Sequence, residues 1–145
     1  MANKSKKIFI TKDLQLDIYE KYMDSEVLSA ANDFDIKIAR KNLIQFSNLL
    51  DNFKINHGVI YGTLLGLYRD GDLIKYDHDV DIYILGEDFY NLLKFLSNKE
   101  LCGFKIIRFT NSLISVEKDN EYIDIFIFRK YLFFRKCGPS LILSN

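Results

Sequence analysis

Two aspartates, Asp79 and Asp81, sit two apart at the head of a run, Val80-Asp81-Ile82-Tyr83-Ile84-Leu85, that otherwise reads as a buried β-strand. Residues two apart on a strand point to the same face. Asp79, Asp81 and Tyr83 therefore share one face, and Val80, Ile82 and Ile84 the other. Residues 122–128 repeat the design. Ile123, Ile125 and Ile127 line one face, while Tyr122, Asp124, Phe126 and Phe128 line the other. A fold that holds both strands must cover their aliphatic faces with helices and carry aspartate on the opposite face.

The rest of the chain supplies those helices. Ile36, Ala39, Leu43, Phe46, Leu50 and Phe53 recur at three- and four-residue steps, one face of an amphipathic helix over 35–53. A short strand is expected at 59–61. Gly62-Thr63 then turns into a helix over 64–69, and Asp70-Gly71-Asp72 is a turn signal. Phe89, Leu92, Leu93 and Leu96 mark a helix over 87–98. Strands are expected at 104–109, 113–117 and 122–128, with Asp119-Asn120 as a hairpin turn and a further strand near 131–134. Residues 12–31 are expected to hold one or two short helices, and residues 1–11 a flexible basic tail. This order predicts one α+β (α/β-like) domain over 12–145, with a mixed sheet and helices mainly on one face.

Composition narrows the function classes. Hydrophobic residues make up 48% of the 145 and charged residues 28%, which is globular rather than disordered. Lys+Arg and Asp+Glu are 20 each, so no net positive charge draws the chain to nucleic acid. The two cysteines, Cys102 and Cys137, form no CxxC pair, which argues against a zinc knuckle or a disulfide framework. No apolar run approaches the roughly 20 residues of a transmembrane segment, and no signal-type apolar core follows the basic residues Met1 to Lys7. These features predict a cytoplasmic protein with reduced thiols, whose terminal lysines could touch an anionic membrane surface.

Burying an unpaired carboxylate costs several kcal/mol, and like carboxylates repel. Asp79, Asp81 and Asp124 on one face of a sheet are tolerable if they bind a cation. An all-oxygen ligand set favours Mg²⁺ or Mn²⁺, with water and phosphate oxygens filling the remaining positions. Each aspartate taken alone has an ordinary alternative. Asp79 can be a turn residue, Asp81 can pair with Lys75 or Arg69, and Asp124 can meet an arginine such as Arg108. Gly62 and Thr63 fit the metal reading, because a strand ending in Gly and opening a helix presents free N–H groups to a phosphate. The same pair is also a plain helix cap. Arg69 is a candidate phosphate clamp through its bidentate fork, and Tyr76 a candidate platform for a base or sugar.

The string Gly62-Thr63-Leu64-Leu65-Gly66, Arg69, then Tyr76-Asp77-His78-Asp79-Val80-Asp81-Ile82 resembles the LicD/fukutin-type family of the nucleotidyltransferase fold. That family shows Gly-Thr-Leu-Leu-Gly, Arg, then Trp-Asp-Asp-Asp-Ile-Asp. Tyr122-Ile123-Asp124-Ile125-Phe126 resembles its third acidic strand, so the motif core runs over 57–128. Tyr76 stands where the family has Trp, and His78 where it has its middle Asp, while Asp77, Asp79 and Asp81 are kept. The resemblance implies a divalent-metal transferase that moves a phospho-alcohol group from a CDP-linked donor to a sugar hydroxyl of a glycan. It implies metal binding and catalysis by Asp79, Asp81 and Asp124, with Asp124 as ligand or base. It implies nucleotide or phosphate binding by Gly62, Thr63, Arg69, Tyr76 and Asp77. Family members usually continue well past the third aspartate, so the acceptor site is expected from a further domain or a second chain. Two other readings stand beside this one: an NTP-using nucleotidylyltransferase acting on a small molecule or protein, and a non-catalytic binding module that kept the fold.

Overall fold

The two aliphatic strand faces lie side by side within a mixed sheet. The computed structural model describes residues 5–19, 34–98, 101–131 and 134–137. The described elements are β1 (Ser5–Thr11), β2 (Leu14–Tyr19), α1 (Ile36–Asn52), β3 (His57–Val59), α2 (Tyr61–Asp70), β4 (Val80–Leu85), α3 (Phe89–Leu96), β5 (Lys105–Phe109), β6 (Leu113–Lys118), β7 (Glu121–Tyr131) and β8 (Phe134–Lys136). A 3₁₀ turn, Gly86–Asp88, precedes α3. The strand order is β1-β2-β5-β6-β7-β4-β3, with β8 pairing the far end of β7. β4 and β7 run parallel, with Asp81 opposite Asp124. β3 joins β4 and β6 joins β7 in antiparallel pairs.

One core explains this arrangement. Val80, Ile82 and Ile84 of β4 and Ile123, Ile125 and Ile127 of β7 are buried together with Leu43, Phe46 and Leu50 of α1 and Leu92, Phe95 and Leu96 of α3. Phe46 meets the rings of Phe95 and Phe104 at 5.7 and 5.0 Å, edge-on or tilted. α1 starts at Asp35, whose side chain accepts from the N–H groups of Lys37 and Ile38. The same helix is tied to the β6–β7 hairpin. Glu121 accepts from the Asp35 N–H at 2.8 Å, and Asn42 donates to the Lys118 carbonyl at 2.7 Å. The hairpin turn is Asp119-Asn120, both at positive φ (53° and 65°), the geometry that matches strand twist.

The N-terminal part departs from the sequence reading. Residues 5–11 form β1 rather than a flexible tail, and residues 14–19 form β2 rather than helix. Leu14, Leu16 and Ile18 are buried in the core while Gln15 and Asp17 are not, a period of two that fits only a strand. β1 pairs antiparallel with β2, and β2 pairs parallel with β5. The remainder of the segment expected to be helical, 20–31, lies outside the described residues. At the other end, the strand expected near 131–134 is realised as β8, three residues further on. Cys102 and Cys137 form no disulfide. Among the described residues no helix is long and apolar enough to cross a membrane.

Candidate active site

β4 and β7 place the three aspartates. Asp79 ends the loop that enters β4, Asp81 is the second residue of β4, and Asp124 is its direct partner on β7. One carboxylate oxygen from each lies within 4.8 Å of the others. Mg²⁺ binds oxygen at roughly 2.1 Å, so two oxygens on one ion stand at most about 4.2 Å apart. Small side-chain rotations would therefore bring these three within reach of one cation. The donor set is all oxygen, which suits Mg²⁺ or Mn²⁺.

Around the cluster the protein supplies few compensating charges. Asp124 is 5% exposed. Its Oδ1 accepts a short hydrogen bond from the Ser115 hydroxyl, and its Oδ2 faces the Arg108 guanidinium at 3.8 Å. Burial raises Asp124 above the usual carboxylate range, with Ser115 and Arg108 opposing that rise. Burial, then the charge of Asp124, pushes Asp79 up to about 6. Burial, then the charge of Asp79, pushes Asp81 up to about 7. The Tyr122 phenol, on the same face of β7, is raised by burial and then by Asp79 and Asp124.

These shifts fix a pH dependence for the protein kept in a chelator. Between the ordinary value of 3.8 and the folded values near 6 and 7, the native state binds protons that the unfolded chain does not. Its stability is then full at acid pH and lost as the pH rises through that window. The melting temperature in excess chelator is expected to fall steadily from about pH 5 to about pH 8. A flat or rising profile would mean that the carboxylates are not held together.

The strand-to-helix turn serves the cluster in a way the sequence did not show. Thr63 is 1% exposed, and its Oγ1 accepts from the Asp81 N–H at 2.8 Å. The Ile60 N–H donates to the Asp81 carbonyl at 3.1 Å. Thr63, expected at a phosphate, is thus buried as the peg that seats Asp81. Tyr61 begins α2 at φ +51°, a left-handed value that is costly for a side chain of this kind, and its ring packs edge-on to Phe126 at 5.0 Å. Gly62 lies against Asp77; a Cβ there would stand 2.6 Å from Oδ2. The other Asp77 oxygen accepts from the His78 N–H at 3.0 Å, so Asp77 shapes the loop that delivers Asp79. Thr63→Val keeps the shape and removes the acceptor. It is expected to cost about 1–2 kcal/mol in chemical denaturation by leaving the Asp81 N–H unpaired, while Thr63→Ser recovers most of the loss.

Two expected residues are not brought to the cluster. Arg69 spends both arms of its fork on neighbouring Asp70, at 2.7 and 2.6 Å. It stands seven residues along α2 from Gly62, roughly 10 Å by helical rise. Tyr76 is 83% exposed, with the Lys75 ammonium 5.7 Å from its ring centre. Ser115 and Tyr122, conversely, were not expected in the site. Arg108 entered the sequence reading only as an ordinary partner for Asp124.

The profile of a family described as LicD/FKTN/FKRP, nucleotidyltransferase domain, matches residues 54–134. An uncharacterized protein of Rickettsia typhi is 34% identical over 82 residues, which are 57% of this chain and 26% of that one. The chain therefore spans about a quarter of the length of the curated relative it matches. Its fold is similar to the solution structure of the antibiotic-resistance factor ANT(2'')-Ia, with a TM-score of 0.55 at 13% identity, over 74% of this chain and 56% of that one. It is also similar to the crystal structure of ANT(2'')-Ia in complex with adenylyl-2''-tobramycin, with a TM-score of 0.51 at 14% identity, over 70% and 56% of the two chains. The match over 54–134 takes in every residue of the carboxylate cluster and more than half of the sequence: the chain belongs to the LicD/FKTN/FKRP nucleotidyltransferase-domain family.

Proposed function

We propose that this domain transfers a phospho-alcohol group, of the phosphocholine or polyol-phosphate kind, from a CDP-linked donor to a sugar hydroxyl of a surface glycan. The observation that carries the reading is the convergence of Asp79, Asp81 and Asp124 within 4.8 Å on the solvent side of the β4–β7 pair. Those three residues would hold Mg²⁺ or Mn²⁺. Such an ion would supply positive charge to neutralise the donor diphosphate.

The remaining work belongs to the chain. Thr63 and the Ile60 N–H fix the Asp81 backbone, so that its carboxylate keeps one direction. Ser115 holds one oxygen of Asp124 and leaves Oδ2 to the site. With both oxygens engaged, Asp124 acts as a ligand. Asp79, on the loop side, would give one oxygen to the ion and take the proton of the acceptor hydroxyl on the other. The acceptor oxygen bonds to the β-phosphorus, the bond from that phosphorus to the bridging oxygen breaks, and CMP leaves.

A second reading is nucleotidylyl transfer, in which the α-phosphorus of an NTP is attacked and pyrophosphate leaves. It is favoured by the shared fold with ANT(2'')-Ia, whose complex holds an adenylylated tobramycin. Mass spectrometry of products from CDP-alcohols and NTPs, with Mg²⁺ and candidate sugars, separates the two. CMP and a phospho-alcohol sugar support the first reading, and pyrophosphate the second. No product, together with no metal-dependent nucleotide binding in calorimetry, would leave only a binding module.

A further inference from the structure

Arg108, Ser115, Asp124 and Asp81 form a single row across four neighbouring strands. Arg108 is opposite Ser115, Ser115 opposite Asp124, and Asp124 opposite Asp81. The row exists because β5 is bulged. The β5–β6 register runs Lys105 to Glu117 and Ile106 to Val116, then jumps to Arg108 against Ser115. Ile107 is the extra residue, and Ile106 and Ile107 are both buried. Without the bulge, Ile107 would stand opposite Ser115. Arg108 would then face Ile114, on the side where Ile114 and Val116 join the core. A bulge beside a functional site re-aims a side chain. Here it turns an arginine from the core face of the sheet to the carboxylate face.

The guanidinium so delivered is not consumed there. It stands 3.8 Å from Asp124 Oδ2, beyond hydrogen-bond length, and its side chain is 31% exposed. Ser115 already satisfies the other oxygen of Asp124. Arg69, the arginine that the motif suggested for phosphate, is closed on Asp70. A diphosphate entering beside three carboxylates needs a protein cation, and a planar fork suits a phosphate.

We propose that Arg108 is the anion-binding cation of this site, and that its guanidinium receives a phosphate of the donor diphosphate at the Asp124 edge of the cluster. The proposal rests on the reading of the cluster as a nucleotide-transferring centre.

Calorimetry with MnCl₂ alone, then with CDP or inorganic pyrophosphate in saturating Mn²⁺, tests it on the whole chain. Arg108→Gln is expected to weaken CDP and pyrophosphate binding at least about tenfold, the worth of a charge-assisted fork, and to leave Mn²⁺ affinity nearly unchanged. Arg108→Lys, which keeps the charge and loses the fork, should fall between. Arg135→Gln, which removes an arginine paired with Glu87, should bind as the parent does. An Arg108→Gln protein that binds CDP as the parent does overturns the proposal. So does one that loses Mn²⁺ and CDP together, for then Arg108 only supports Asp124. A parent that binds CDP yet transfers nothing leaves Arg108 standing and removes the transferase reading. A parent that binds neither diphosphate removes both.

Discussion

Asp81→Asn is expected to abolish metal-dependent turnover and, in the same protein, to raise the melting temperature measured in chelator. The two effects have one cause. Asp81 is half-buried, and Asp79, Asp124 and Asp77 all raise its pKa by repulsion, after burial itself. Near neutral pH, without a cation, three facing carboxylates oppose folding. The amide removes one of the charges with little change in shape, so the fold relaxes toward greater stability. Substituting groups that merely support a metal ligand costs 10–100-fold in activity, so loss of a ligand is expected to cost about 100-fold or more. Asp79→Asn should behave alike. The paired measurement is thermal melting in chelator and product formation in Mg²⁺. Undiminished activity in both variants would remove the cluster from the chemistry. A lower melting temperature would mean that the carboxylates are held by partners rather than strained by one another.

Gly66→Ala is expected to destabilise the protein by about 3 kcal/mol, the upper end for overpacking, and to cut activity with it. A Cβ on Gly66 would stand 2.6 Å from the Asp72 carbonyl oxygen and 3.0 Å from the Ile74 nitrogen. Both are backbone atoms and cannot swing aside. On its other side the loop is held by Arg40 of α1, whose fork closes on the Asp72 carboxylate. The added methyl must therefore push α2 away from the loop that leads to Asp79, and α2 carries the Thr63 peg under Asp81. A displacement of about 1 Å in a catalytic group can cost 10²-fold in rate. Urea denaturation and turnover check the two parts, with Leu65→Ala, an exposed position on the same helix, as the comparison. Parental stability in Gly66→Ala would show that helix and loop do not touch this closely.

What the sequence made legible was whatever repeats with a period. The aliphatic alternation in 80–85 and 122–128 put Asp81 and Asp124 on one face, and the three- and four-residue spacing located α1. The same signal was present in Leu14, Leu16 and Ile18, but the polar residues between and after them obscured it, and β2 was read as helix. Two contributions had no local signature. Arg108 reaches the carboxylate face only through the β5 bulge, which breaks the alternation that strand reading relies on. The Thr63 hydroxyl bonds to a backbone N–H eighteen residues away, which no pattern of side chains announces. Arg69 is turned from the cluster for a local reason, since the next residue is an aspartate within reach of its fork.

The direct pairing of Asp81 with Asp124 also bears on how the chain finds its fold. A slip of one residue between β4 and β7 would set Ile123 or Ile125 beside Asp81 and turn Asp124 toward Phe46 and Leu50. A carboxylate among those rings and branched chains has no donor to meet it and costs several kcal/mol. The misregistered sheet is thereby penalised before any ligand is present. The residues that make the site demanding to assemble thus also proofread the β4–β7 pair, and a variant with Asp124 replaced by a small apolar residue would lose that discrimination.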